Sequence, residues 1–335
     1  MPVQVQQQLA EMLPALLSLL LPLTQGVTIR VHQEDLATNP CKLTEVPYPS
    51  PNPSPYPSHQ SCLPLSDAYT VAYDFLLSNL PSWDRANAET LGFHSKDAPG
   101  VDGLDLGIAT LGINISLATK QKRPWAWDIP EDIYNEYVVT YGQVNEARTN
   151  WRPMLTEAVA ELLSAGPAPS SIPEVVDTVN SGLWFGLLGK NITFRSSQTP
   201  LIFDPMSTIV FGYASCTGLS ILLADALRAA GVPARLAGTP AWNSQEERGN
   251  HNWVEVWHAG TWRFVEATTG GGHESLADPC DKWFCTPARM ENGTEVWASR
   301  WRRGDWWFPL AWDTGNMEVP GEERTDYYQA VCGAC

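Results

Sequence analysis

The chain has 335 residues, an apolar fraction of 44% and a formal charge of -16, with 21 Lys and Arg against 37 Asp and Glu. That length and apolar content supply a full-sized core of one or two domains and exclude disorder throughout. The acidity argues against nucleic acid and anionic membrane as partners, because both demand clustered basic residues. The fifteen tryptophans are read first as core-forming, since large rings dominate burial energetics.

Residues 12–23 form an apolar run that suits the core of a signal peptide and is too short to cross a bilayer as a helix. No stretch qualifies as a transmembrane helix. Glu11 and the lack of Lys or Arg before it count against the signal reading. Cysteine content counts for it. Setting Cys216 aside leaves Cys41, Cys62, Cys280, Cys285, Cys332 and Cys335, for which local pairing of 41 with 62, 280 with 285 and 332 with 335 is one expectation among 15 connectivities. Sequons begin at Asn114, Asn191 and Asn292. The expected location is secreted or secretory-lumenal, with the cytoplasm as the alternative.

Residues 46–64 are dense in Pro and Ser and read as an extended linker. The expected organisation is therefore an apolar segment and linker over 1–65, a helical domain over 66–171, a catalytic domain over 172–312 and a tail over 313–335. Helical periodicity is expected near 68–80, 129–140 and 149–164. From residue 172 one strong helix is followed by strand alternation and Gly-rich turns, the order of an α+β domain.

That helix starts at Cys216. Leu219, Leu222, Leu223, Ala226, Leu227 and Ala230 line one face, Ser215 stands at the cap position, and Gly231 with Pro233 ends it. The first turn of a helix offers unpaired N–H groups and positive potential, which stabilise a thiolate. Downstream, His251, Trp253, Glu255 and Trp257 alternate with Asn252, Val254 and Val256 in strand fashion. If Ala259 and Gly260 form a two-residue loop, Trp253 pairs with Glu266, and His251 lies one diagonal step from that carboxylate. A one-residue slip would separate them.

Thiol catalysis needs a nucleophile, an imidazole and a group that orients the ring. Cys216, His251 and Glu266 supply these in order, with Glu274, Asp278 and Asn252 as alternative orienting groups. The residues Ala214-Ser215-Cys216-Thr217-Gly218 with the helix behind them, Asn250-His251-Asn252-Trp253 and Phe264-Val265-Glu266 resemble the motifs of the transglutaminase-like superfamily. The resemblance implies a papain/transglutaminase-like α+β core, a helix bearing the cysteine packed on a small antiparallel sheet. The Trp125 and Trp127 region, with the residues around Arg148 and Trp151, is similar to a helical region that precedes this core in one microbial branch. Glu266 stands where that superfamily more commonly has Asp.

The expected activity is hydrolysis of an amide or peptide bond in a peptide, protein or glycopeptide, with no cofactor and no metal. Cross-linking by acyl transfer to an amine, and a non-catalytic glycan- or peptide-binding module, are the alternatives. Gln198 is the candidate side-chain donor to an oxyanion, and Asn252, Trp242 and Trp253 are candidate substrate contacts. His251, His258, His273, Cys280 and Cys285 lack the spacing of a zinc site. No Gly-rich phosphate loop follows a strand; Gly270, Gly271 and Gly272 read as a turn.

Overall fold

The computed structural model describes residues 65–93 and 107–335, apart from Leu188, His273 and Asn292. The apolar run 12–23, the linker 46–64, the Cys41–Cys62 pairing, His273 and the Asn292 sequon lie outside the described residues.

Helices come first. They are α1 (Leu65–Ser78), α2 (Ile108–Lys122), the short α3 (Glu131–Tyr134), α4 (Arg152–Ser164) and α5 (Ile172–Gly182). After α3 the chain widens into a π-helical turn, Asn135–Val139, whose residues are all buried. Such a turn leaves carbonyls without helical partners. The buried Arg152 answers them, donating from Nη2 to the oxygens of Val138 at 2.7 Å and Thr140 at 2.8 Å.

A two-stranded parallel pair, β1 (Thr193–Phe194) and β2 (Tyr213–Ala214), flanks α6 (Pro205–Phe211) and leads directly into α7 (Cys216–Ala229). The main sheet then follows as β3 (Ala234–Thr239), β4 (His251–His258) and β5 (Thr261–Val265). A short helix α8 (Pro287–Met290) precedes β6 (Trp297–Ser299), β7 (Gly321–Glu323) and α9 (Thr325–Cys332). The strand order is β5-β4-β3-β6-β7, antiparallel at each pairing.

Alternation along β4 divides two layers. Val254 and Val256 join Leu222, Leu223 and Leu227 of α7 in the larger core, whereas Trp253 joins Phe264, Phe284 and Tyr328 in a second core. The α7 helix is buried on every side from Thr217 to Ala229, not only along the one apolar stripe its pattern suggests. Its polar residues are therefore paired internally. Asp225 accepts from Gln143 Nε2 at 2.8 Å, and Arg228 donates to the carbonyls of Ala234 and Gly142 and to Gln143 Oε1. Desolvation pushes the Asp225 carboxyl up to about 7.

Residues 313–335 are not a tail. They provide the edge strand β7 and the helix α9, whose Tyr328 hydroxyl accepts from Trp253 Nε1 at 2.6 Å. Residues 65–335 form one compact unit, with no separate division between the helical and sheet regions. The cysteine pairing also differs from the local expectation: Cys280 bonds Cys335 and Cys285 bonds Cys332. Proximity in sequence favours short loops, but α9 packs beside the 280–285 loop and brings its last residue Cys332, and Cys335 just beyond it, within bonding distance.

Beneath that layer sits a buried charge cluster. Arg235 of β3 and Glu255 of β4 are cross-strand partners with Nε to Oε2 at 2.8 Å, and Arg324 and Tyr328 also reach Glu255. A buried pair is costly to break because the survivor stays desolvated. Glu255→Ala should lower the unfolding free energy by about 3–5 kcal/mol in urea titration, and Arg324→Ala, on the half-open rim, by clearly less. Peptide mapping under non-reducing conditions should recover the 280–335 and 285–332 links with Cys216 as free thiol.

Candidate active site

Cys216 opens α7 and is the free cysteine among the described residues. Ser215 occupies the cap position, but its hydroxyl is bonded to Thr199 Oγ1 at 2.6 Å instead of to the helix amides. The start of the helix is fastened to β4 by two hydroxyls. Thr217 Oγ1 donates to Asn252 Oδ1 at 2.8 Å, and Ser220 Oγ to the Asn252 carbonyl at 3.0 Å. Gly238 leaves room for the Asn252 side chain, and Gly218 lets the helix start pack on the chain before α6. A Cβ on Gly218 would lie 2.9 Å from Phe203 Cα, and one on Gly238 would lie 2.2 Å from Asn252 Nδ2.

This docking sets the first residue of α7 beside the first residue of β4. There the thiol and the His251 imidazole act on each other's titration, and the Asn252 backbone acts on the thiol as well. On its other side His251 Nε2 meets Glu266 Oε2 at 2.7 Å. The hairpin that joins them has Val254 opposite Val265 and His258 opposite Thr261, so Ala259 and Gly260 form the loop, both at positive φ. Extending that register by one step sets Trp253 opposite Glu266, as the spacing predicts.

Opposing effects decide the protonation. Burial pushes the Cys216 thiol up, but the bond to His251, the charge on that ring and the Asn252 backbone bond outweigh it, so the thiol lies below its ordinary value. Burial likewise depresses His251, yet the Glu266 charge and the bonds to Cys216 and Glu266 prevail and hold the ring at about 9. The pair is thus suited to a thiolate–imidazolium state at neutral pH.

Glu266 is positioned by groups the sequence pattern does not mark. Its carbonyl accepts from Asn180 Nδ2 at 2.7 Å, and Asn180 Oδ1 accepts from the Thr268 amide at 3.2 Å. Its amide donates to Glu274 Oε2 at 2.8 Å, so Glu274 stands behind Glu266, while Asp278 caps the Cys280 amide. Burial pushes the Glu274 carboxyl up to about 7.

The aromatic candidates change roles. Trp242 and Trp253 are buried and stack with each other at 6.4 Å, so neither can present a face to substrate. They back His251 instead, with ring centroids 6.3 and 5.8 Å from it. The aromatic ring that meets solvent is Trp283, 51% exposed and 4.8 Å from His251. Asn252 is also spoken for, its amide oxygen bonded to Thr217 and its Nδ2 to the Ala237 carbonyl at 3.3 Å. Gln198 Nε2 is turned to the Ser196 carbonyl at 3.0 Å. Cys280 and Cys285 are oxidised in disulfides and cannot serve as thiolate ligands.

Residues 182–267 match the model of the transglutaminase-like superfamily core, a span that takes in Cys216, His251 and Glu266. Over this span the chain is similar to the transglutaminase-like superfamily. The helix-on-sheet arrangement of α7 with β3, β4 and β5 is the transglutaminase-like part of the molecule, and the helical layer precedes it. Among solved structures, one from Cytophaga hutchinsonii described as a "Putative Cysteine Protease" aligns at 15% identity with a TM-score of 0.32, over 61% of this chain and 61% of that one. No curated protein matches the chain.

The arrangement gives a signed pH prediction. Because Glu266 is what raises the ring, Glu266→Gln should let burial dominate and move the His251 titration from about 9 to lower pH. Iodoacetamide alkylation of Cys216 against pH measures it. The wild type should react rapidly at neutral pH, and the variant should show a thiolate fraction that appears only at higher pH.

Proposed function

We propose that this chain is a thiol-dependent hydrolase of amide or peptide bonds, with Cys216 as nucleophile, His251 as acid and base, and Glu266 as the group that holds the imidazolium. The observation that carries the reading is His251 held by Glu266 Oε2 at 2.7 Å and electrostatically coupled to the Cys216 thiol at the start of α7. In the first half-reaction the thiolate adds to the substrate carbonyl carbon and the carbonyl electrons collect on oxygen. The oxyanion is met by the unpaired amides of the first α7 turn, with the Cys216 N–H foremost. The C–N bond then breaks, His251 gives its proton to the leaving nitrogen, and an acyl-thioester remains. In the second half-reaction His251 takes a proton from water as it attacks, and the thiol is restored with release of the acid.

A peptide, protein or glycopeptide is the substrate class that fits an open site walled by Trp283. Disulfides at 280–335 and 285–332 support action in an oxidising compartment, secreted or in the secretory lumen.

A panel of peptide and amide substrates assayed with wild type and Cys216→Ala tests the proposal. Turnover should fall by about 10³-fold or more in the variant, with Glu266→Ala retaining more activity than Cys216→Ala. Equal rates in wild type and Cys216→Ala would remove the hydrolase reading. Preferential incorporation of an added amine over water would assign transfer to an amine in its place.

A further inference from the structure

Where α9 packs beside the 280–285 loop, the two disulfides differ in access. Cys280 and Cys335 are exposed, whereas Cys285 and Cys332 are fully buried. The outer link is therefore open to a thiol in solution, and the inner one is shielded from it. The two links also touch. Cys335 Sγ lies 4.0 Å from Cys285 Sγ, which is itself bonded to Cys332.

That contact has chemical content, because a disulfide is opened by a thiolate that reaches one of its sulfurs. A Cys335 thiol released from Cys280 already stands beside a sulfur of the inner link. A group held at such range acts at an effective concentration far above that of a dissolved thiol. The buried layer need not open for a reductant to enter. The inner link in turn bears on the candidate active site. Cys285 follows Phe284, whose ring is 5.4 Å from His251, and Trp283, 4.8 Å from the same imidazole, lies between the two cysteines of the loop. Its partner Cys332 ends α9, whose Tyr328 packs edge-on against Trp253 at 5.3 Å.

We infer that Cys280–Cys335 is a thiol–disulfide exchange site that takes a dithiol reductant, and that Cys335 then relays the opening to Cys285. In the first step the dithiol is oxidised to its own disulfide, the Cys280–Cys335 bond takes the two electrons, and both cysteines become thiols. In the second, the Cys335 thiolate attacks Cys285 Sγ. A Cys285–Cys335 bond forms, the Cys285–Cys332 bond breaks, and Cys332 leaves with the electron pair and takes up a proton. This step is an exchange, with no net oxidation. The tie from the Phe284 loop thereby passes from the last residue of α9 to one beyond the helix, and the rings against His251 are held by a link that can be reset from solvent. The inference does not rest on the hydrolase reading, and its test needs no turnover.

Cys280→Ser frees Cys335 without any reductant and gives the direct test. The full-length variant is held folded at mildly alkaline pH, labelled with N-ethylmaleimide and mapped by mass spectrometry without reduction. It should contain Cys285–Cys335 beside Cys285–Cys332, each at about a tenth or more of the linked Cys285, as exchange between links of comparable strength requires. The label should divide between Cys332 and Cys335. The converse variant, Cys335→Ser, frees Cys280 and should keep Cys285–Cys332 alone. In the wild type, an equimolar amount of dithiothreitol should free Cys280 first, and the Cys285–Cys335 peptide should appear before any species labelled at both Cys285 and Cys332. A Cys280→Ser map with Cys285–Cys332 alone and label confined to Cys335 would overturn the relay. So would a wild type whose inner link opens while Cys280–Cys335 is intact. Should Cys280→Ser misfold, the wild-type time course decides, since loss of Cys285–Cys332 without passage through Cys285–Cys335 overturns the inference by itself.

Discussion

The bond between Thr217 and Asn252 is the point at which helix, sheet and site become one object. Thr217 lies one residue after the nucleophile and Asn252 one residue after the imidazole, so a 2.8 Å contact between their side chains fixes the distance between the two reacting groups. The Ser220 bond to the Asn252 carbonyl adds a second fastening one turn further along α7. Nothing in the chemistry of the thiol itself would keep it there, because a helix terminus is otherwise free to fray. The buried length of α7 gives the fastening its stiffness, since Asp225 and Arg228 are locked against the helical layer and β3.

The sheet contributes differently on its two faces. One face seats α7 through Val254, Val256 and Val265, and the other carries the aromatic layer of Trp242, Trp253, Phe284 and Tyr328. His251 belongs to the aromatic side, which raises the penalty for its charged form, and the single carboxylate of Glu266 reverses that penalty. A ring in such surroundings is rigid and poorly hydrated, which strengthens its bond to the acid. The same layer rests on the Arg235–Glu255 pair, so the electrostatics of the sheet and of the site share one wall without sharing a charge.

Much of this was readable from the order of residues. Cys216 at the mouth of an amphipathic helix and the two-residue loop at Ala259 and Gly260 determine, between them, where the thiol, ring and acid must fall, because strand alternation admits no intermediate register. The helix α2 was less legible. Its residues Gly112, Ser116 and Thr119 are buried without a strong apolar stripe, and Gly112 is small because the Arg152 side chain crosses it, with Nε 3.4 Å from where a Cβ would stand. The supports of Glu266 were hidden for a related reason. Asn180 is 86 positions distant in sequence, and no local pattern distinguishes an amide that braces a carboxylate from one on a surface turn. Trp283 looked like one ring among many, and only the fold separates it from the buried Trp242 and Trp253. Cysteine connectivity is tertiary information by nature, as the crossed 280–335 and 285–332 links illustrate.

The sheet order carries an implication for assembly. Strands β3, β4 and β5 are contiguous in sequence and form a meander by themselves, whereas β6, β7 and α9 are added outward from β3 after a long excursion. During synthesis the nucleophile, imidazole and acid can therefore find their register while the ribosome has still to deliver α9, whose Tyr328 packs on Trp253 and Phe264 in the layer behind the imidazole. In that interval Trp253 and Phe264 would lack the Tyr328 ring that packs on them, and the site would exist in outline without the finished aromatic layer behind it. Maturation of this molecule is thus a matter of insulation arriving after the wiring, and the two cystines are what keep the insulation in place.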